Sequence, residues 1–229
     1  KARVQPSIDN PIDFNNVNVG GTLNMLQACV DYGVSRFIYS SSSSVYGNVE
    51  QLPTPEKHKL NPMSPYALQK LIGEQYCKLF SELYGLETVC LRYFNVYGDG
   101  MSLEGAYKLV IPIFTDQMLR GAPITIRGDG EQRRDFTYVG DVVDANIKCA
   151  TNLGVEFSGE IFNIGNGDNR SVNQIATMMG GSRVHVKPVI EPKETLADNT
   201  KAKKVLGWET TMKIEDWIKT YKEKMGLWT

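Results

Sequence analysis

Apolar residues recur at helical spacing between Asp13 and Tyr32, where Val17, Leu23, Leu26, Ala28 and Val30 fall on one side of the chain. Gly33 then supplies a residue suited to ending a helix. The period changes at once. Arg36-Phe-Ile-Tyr-Ser40 is a short β-branched and aromatic run, which predicts a strand buried on both faces. A loop carrying Pro53, Pro55, Pro62 and Pro65 follows, and a second helix is predicted over residues 66–83. Gly85 closes that helix ahead of a strand over residues 87–93. Helix and strand alternate, so the pattern predicts an α/β class with a parallel sheet. Beyond Gly98 the texture changes, because Gly98-Asp-Gly100, Gly128-Asp-Gly130 and Gly165-Asn-Gly167 divide the chain into short elements that suit a second, smaller lobe.

Composition narrows the functional classes. The 229 residues carry 25 basic and 26 acidic side chains, a net charge of -1, with neither sign in a block. That balance gives no pull toward nucleic acid or an anionic membrane. No apolar run reaches the length of a membrane span. Cys29, Cys77, Cys90 and Cys149 lie far apart, and His58 and His185 are the only histidines, so no metal site is expected. A reducing, cytoplasmic setting is the expectation from this cysteine usage. His58 falls in a charged loop and is expected to be solvated, and His185 in an alternating segment is expected on a strand's polar face.

Two features carry candidate chemistry. Tyr66-Ala-Leu-Gln-Lys70 sets a phenol and an ammonium four residues apart, hence one turn apart on one face of the second helix. A phenol ionises near 10, and a cation in a partly dry cleft stabilises the phenolate, the form a general base needs. The pair alone is a weak signal. The first strand, however, runs into Ser41-Ser-Ser-Ser44-Val-Tyr-Gly47. Ligands of doubly wound sheets bind at the carboxyl ends of strands, where a serine hydroxyl can hold a substrate oxygen as it loses its proton.

Six ordered motifs extend the pattern: residues 18–22 (Asn-Val-Gly-Gly-Thr), 36–47, 64–70, 91–98, 128–136 and Leu206-Gly-Trp208. On these the chain resembles the extended short-chain dehydrogenase/reductase family, most closely the UDP-glucose 4-epimerase group. The resemblance implies a partial Rossmann doubly wound parallel sheet over residues 1–98 with a return segment at 135–165. A smaller substrate-binding lobe would occupy 99–134 and 166–229. It implies Tyr66 as catalytic base, Lys70 as the residue that tunes it and holds the nicotinamide ribose, and Ser42 as the catalytic hydroxyl. NAD would also meet Asn18, Ser40 and Tyr93. The UDP-sugar would meet Ser42, Tyr66, Asn95, Arg134 and Thr195, and two copies would form a homodimer. Read without the resemblance, Asn95 caps a turn, Arg134 is a solvated charge, Thr195 is the N-cap of a C-terminal helix, and Tyr46 and Tyr97 are packing residues.

Three departures from the family pattern shape the expectations. No strand followed by GxGxxG occurs, and residue one is Lys1, so the chain reads as a fragment whose parent carries the activity and which itself binds NAD weakly. Lys187 and Pro188 stand where an arginine is usual shortly before Glu191, which removes one expected pyrophosphate contact. Ser43 and Ser44 stand where dehydratases and decarboxylases of this fold carry acidic residues. A hydroxyl is too weak a base for elimination, which favours epimerisation over those reactions, and the intact Tyr66, Lys70 and Ser42 argue against a non-catalytic NAD-sensing role.

Overall fold

The computed structural model describes residues 1–102, 109–152, 157–188 and 192–227. Its central layer is a parallel sheet in the order β1 (Arg36–Ser42), β2 (Glu87–Tyr93), β6 (Ser158–Ile164). β2 is buried at Thr88 through Arg92, as a strand covered on both faces must be. The predicted strands are present, β1 running two residues beyond its predicted end.

Helix α4 (Pro65–Tyr84) covers one face of this sheet. Ser64 caps it by accepting from the Ala67 N–H at 3.1 Å, Pro65 occupies the first turn, and Gly85 closes it in the left-handed region. Gly73 lets it lie close to β1, because a Cβ there would fall 2.2 Å from the Tyr39 hydroxyl oxygen. The other face of β2 packs with α6 (Val139–Thr151) and α8 (Thr200–Leu206), through Val89, Leu91, Ala145, Leu206 and Trp208.

The first predicted helix is subdivided. Residues 4–31 form α1 (Val4–Asp9), α2 (Pro11–Asn15), a π-turn over Asn16–Gly20 and α3 (Gly21–Asp31). The π-turn shifts the helical phase, so Val17 faces out while Asn18 is buried.

The second part of the chain builds smaller sheets. β3 (Asn95–Tyr97) pairs parallel with β5 (Arg133–Tyr138), which pairs antiparallel with β7 (Asn169–Ser171). β4 (Ile124–Arg127) pairs parallel with β8 (Arg183–Val186). A separate core joins α5 (Val110–Leu119), α7 (Val172–Met179) and α9 (Ile214–Lys224) around Phe114, Ile126, Ile175 and Trp217. His185 lies on the exposed β8 as expected. His58 does not stay in solvent: it is half-buried, its ring edge-on to Tyr46 at 6.1 Å. Tyr46 and Tyr97 are buried packing residues, as read.

Candidate active site

Parallel register fixes which serine faces which neighbour. Ser41 pairs with Arg92 and Ser42 with Tyr93, and successive side chains alternate faces. Ser41 therefore points with Arg92 toward the body of α4, where both reach Glu74, while Ser40 points with Tyr93 to the other face and Ser42, at the strand's end, lies beside the first turn of α4. At the carboxyl end of β1 the chain turns through a short 3-10 helix, Ser43–Tyr46, with Ser42 as its cap. The Ser42 oxygen accepts from the Ser44 N–H at 3.2 Å and from the Ser44 hydroxyl at 2.9 Å.

The first turns of α4 meet this strand end. Tyr66 and Lys70 are both half-buried. The Lys70 Nζ donates to the Ser40 carbonyl at 2.8 Å and lies 5.9 Å from the centre of the Tyr66 ring and 5.0 Å from that of Tyr39. Burial pushes the Tyr66 phenol above its ordinary value, and a hydrogen bond from Ser42 acts in the opposite direction. Burial lowers Lys70. The sequence placed the tuning of Tyr66 on Lys70, and in the structure the hydrogen bond from Ser42 is the resolved opposing influence.

The other expected residues divide into two groups. The Tyr93 hydroxyl lies 3.2 Å from Ser40 Oγ and donates to Asn146 Oδ1 at 3.0 Å. Asn146, on α6, thus orients a residue of the site from 53 positions away, and no local signal marks it. Asn18 is buried, and its amide donates to Gln69 on α4 at 3.0 Å, so it braces α4. Farther along, Asn95 and Arg134 line one cavity of about 220 Å³ with Val96, Leu109, Val110 and Phe136. Arg134 is half-buried and donates to the Arg133 carbonyl at 2.8 Å. Glu191, the landmark for the missing arginine, lies outside the described residues.

Thr195 is not a helix cap. The nearest helix, α8, begins at Thr200 after Asn199. Thr195 instead runs alongside β5, donating its N–H to the Arg133 carbonyl at 3.1 Å and accepting the Asp135 N–H on its hydroxyl at 3.2 Å. Asp135 organises this wall. Its buried carboxylate accepts from the backbone N–H groups of Asn166 (2.7 Å), Gly167 (3.0 Å) and Ala197 (3.0 Å). Burial pushes its carboxyl up to about 6, and the same three donors oppose that rise.

Phenol, ammonium and hydroxyl converge at the carboxyl edge of a parallel sheet, an arrangement suited to proton transfer at a sugar or ribose hydroxyl. The donor set suits the nicotinamide-ribose end of a dinucleotide, since Lys70 and Tyr66 lie together beside the strand end. Among the described residues no cluster of His, Cys, Asp and Glu could hold a metal ion, and no helix is long and apolar enough to cross a membrane.

The comparisons with known proteins agree with this geometry. A putative UDP-glucose 4-epimerase of Methanocaldococcus jannaschii is 38% identical over 223 residues, covering 94% of this chain and 71% of that protein. The crystal structure of UDP-glucose 4-epimerase with UDP-glucose from Thermotoga maritima aligns with a TM-score of 0.90 at 37% identity, covering 98% of this chain and 75% of that one. UDP-glucuronic acid 4-epimerase from Bacillus cereus, in complex with UDP-glucuronic acid and NAD, aligns with a TM-score of 0.82 at 32% identity, covering 91% and 67%. The model of the NAD dependent epimerase/dehydratase family matches residues 1–165, and the chain belongs to that family.

Proposed function

We propose that this protein is an NAD-dependent nucleotide-sugar 4-epimerase in which Tyr66 is the acid/base, Ser42 its hydroxyl partner and Lys70 the cation that serves both phenol and ribose. The observation that carries the reading is the meeting of Tyr66, Ser42 and Lys70 at the end of β1, with Lys70 anchored on the Ser40 carbonyl at 2.8 Å. Tyr66 takes the proton of the sugar's 4-hydroxyl while Ser42 holds the same oxygen. NAD held beside Lys70 and Tyr66 would supply a reversible acceptor for the hydride from C4, returned to the opposite face. The C4–H and O–H bonds break as the carbonyl forms, and Tyr66 gives its proton back in the reverse step. Asn95 and Arg134 hold the nucleotide end, where a guanidinium fork matches phosphate oxygens.

The substrate is a UDP-sugar, as in the solved relatives, and the reading includes UDP-glucose/UDP-galactose and their N-acetyl forms. A second copy of the chain is the protein partner. Leu68, Leu79 and Leu83 are exposed at helical spacing on α4, and such a surface favours association. The four cysteines are unpaired and buried, which suits a reducing cytoplasm.

The test incubates the parent protein that includes the dinucleotide-binding turn, loaded with NAD, with UDP-galactose, UDP-N-acetylgalactosamine and UDP-galacturonate in D2O and follows the sugar protons by NMR. Epimerisation through internal hydride return gives the 4-epimer with C4 and C5 free of deuterium. Deuterium at C5, or a product that has lost a hydroxyl or a carboxylate, overturns the reading in favour of elimination or decarboxylation. Light scattering at micromolar concentration decides the dimer.

A further inference from the structure

Below the catalytic groups, a buried ion pair ties their helix to β2, the strand beside the one that carries the serines. Tyr66, Lys70 and Glu74 lie at positions i, i+4 and i+8 of α4, one face of one helix. Glu74 is 4% exposed and Arg92, on β2, is 1% exposed. Arg92 grips Glu74 with two donors, Nε to Oε1 at 2.9 Å and Nη2 to Oε2 at 2.6 Å. Ser41 donates its hydroxyl to the same Glu74 Oε1. Arg92 has a third donor to place, and Nη1 gives hydrogen bonds to the Tyr46 hydroxyl and the Glu56 carbonyl, both at 2.9 Å. Tyr46 passes the chain on to Asn163 Oδ1 at 2.6 Å.

Asn163, on β6, then holds the far wall. Its amide donates to the Thr54 carbonyl at 2.9 Å and the Asp198 carbonyl at 3.1 Å, while its N–H donates to Glu56 Oε1 at 3.0 Å. Thr54 in turn exchanges backbone hydrogen bonds with Leu196 and Asp198, the residues that follow Thr195. One continuous buried chain therefore runs from the catalytic helix, under the serine strand, to the segment next to Thr195.

Burial works against the Arg92 charge, but Glu74 and Tyr46 more than offset it and push its pKa above the ordinary value. Burial also pushes Tyr46 up to about 12, so it stays a donor to Asn163 throughout the neutral range. Two charges buried together are weak evidence of a stability role, because an apolar pair of the same volume can hold a core as well. What a bidentate pair adds is direction, since a fork-to-carboxylate contact fixes distance and rotation together.

We propose that Glu74 and Arg92, with Ser41, are positioning residues that set the rotation of α4 against β1, so that Tyr66 and Lys70 meet Ser42 in register. This rests on the epimerase reading above and assigns none of the three to contact with substrate or cofactor. The bond from Ser41 acts directly, because Ser42 is its chain neighbour at the strand end.

The test uses Arg92→Lys and Ser41→Ala in the NAD-loaded parent protein that includes the dinucleotide-binding turn, with Ser41→Thr as the conservative rescue. Arg92→Lys keeps the charge and loses the fork. Ser41→Ala removes one hydroxyl, so it keeps the pair even if Arg92→Lys folds poorly. Steady-state rates are taken per NAD-loaded protomer, which removes any effect of a smaller folded fraction.

The expected result is a kcat lowered by about tenfold or more in Arg92→Lys and by a smaller factor in Ser41→Ala, with KM within about twofold of the parent, since small displacements of reacting groups act on the chemical step. Ser41→Thr should recover most of the rate. The proposal is overturned if both variants keep the parent's kcat per loaded protomer, whatever their melting temperatures do. It is equally overturned if KM rises while kcat is unchanged, because the network would then serve substrate binding. If the parent enzyme itself shows no epimerisation, it is the functional reading that fails.

Discussion

Ser44 donates its hydroxyl hydrogen to Ser42 Oγ at 2.9 Å, and its N–H reaches the same oxygen at 3.2 Å. Both lone pairs of Ser42 are thereby engaged, which leaves its own hydrogen to point outward toward Tyr66 and the reacting oxygen. Ser44→Ala should lower kcat by about threefold to tenfold, the effect of losing one neutral hydrogen bond of about 1 kcal/mol at the reacting group. Ser44→Thr, which keeps the hydroxyl, should stay close to the parent. Steady-state kinetics of both variants decide it, and an alanine variant with parental kcat would mean that the backbone N–H alone orients Ser42.

Tyr66→Phe removes the proton acceptor and leaves the ring in place. Epimerisation should fall by about 10²-fold or more, the usual cost of losing a general acid/base. A variant within about threefold of the parent would take Tyr66 out of the mechanism.

The pH dependence follows from the sign of the shift. The base must be the phenolate, and burial pushes the Tyr66 phenol up, so the active form gains population as pH rises and kcat/KM should climb from neutral into the alkaline range. Lys70→Met removes a cation whose Nζ lies 5.9 Å from the ring centre, which makes the phenolate harder to form. The rising limb should therefore move to higher pH in Lys70→Met. Rate profiles over about pH 6 to 10 read this directly, the range in which a phenol of ordinary or tuned pKa titrates. An unmoved limb would confine Lys70 to holding the ribose.

Asp135 offers a test of the wall itself. Its Oδ2 accepts two backbone N–H groups and its Oδ1 a third, so an amide in its place turns an –NH2 toward at least one donor. Asp135→Asn is isosteric, yet it should cost about 2 kcal/mol or more of stability, since a buried donor is left without an acceptor. Thermal or urea unfolding of the two proteins gives the difference. Equal stability would mean that the wall rearranges around the amide.

Local patterns were the legible ones. The Tyr66/Lys70 spacing, the closing Gly85 of α4 and the strands at β1 and β2 rest on patterns of a few residues, which helix and strand periodicity transmit without tertiary help. The break in the first helix was not legible, because Val17 fits the apolar pattern and nothing around it announces the π-turn that turns it outward. Arg92 reads as one residue of a strand motif, and only the fold brings it to Glu74, 18 residues earlier, and to Ser41 beyond that. Thr195 misled for a different reason. Threonine is a favoured helix cap, and the cap position falls instead to Asn199.

Thr195 carries the prediction about which sugar is turned over. By resemblance to the epimerase group, the residue two positions before Ala197, here Thr195, is expected to face the sugar's 2-substituent, and it is small. The structure puts Thr195 next to Arg134 in space as well, since Thr195 bonds to Arg133 and Asp135 on either side of it. Its backbone thus runs beside the strand position of the guanidinium expected to hold the pyrophosphate. A small residue admits an N-acetyl group, so kcat/KM for UDP-N-acetylgalactosamine should lie within about tenfold of that for UDP-galactose, a difference of the size one extra group makes in a tolerant pocket. Thr195→Tyr adds a ring, and steric overlap should then exclude the larger substituent while sparing the plain sugar. The variant also loses the hydroxyl that accepts from the Asp135 N–H, so Thr195→Val serves as a control for that bond alone. Selective loss of the N-acetyl sugar in the tyrosine variant, with both sugars retained in the valine variant, is the expected outcome. If the parent cannot turn over the N-acetyl sugar, or if the tyrosine variant loses both substrates equally, the 2-substituent is read by another residue.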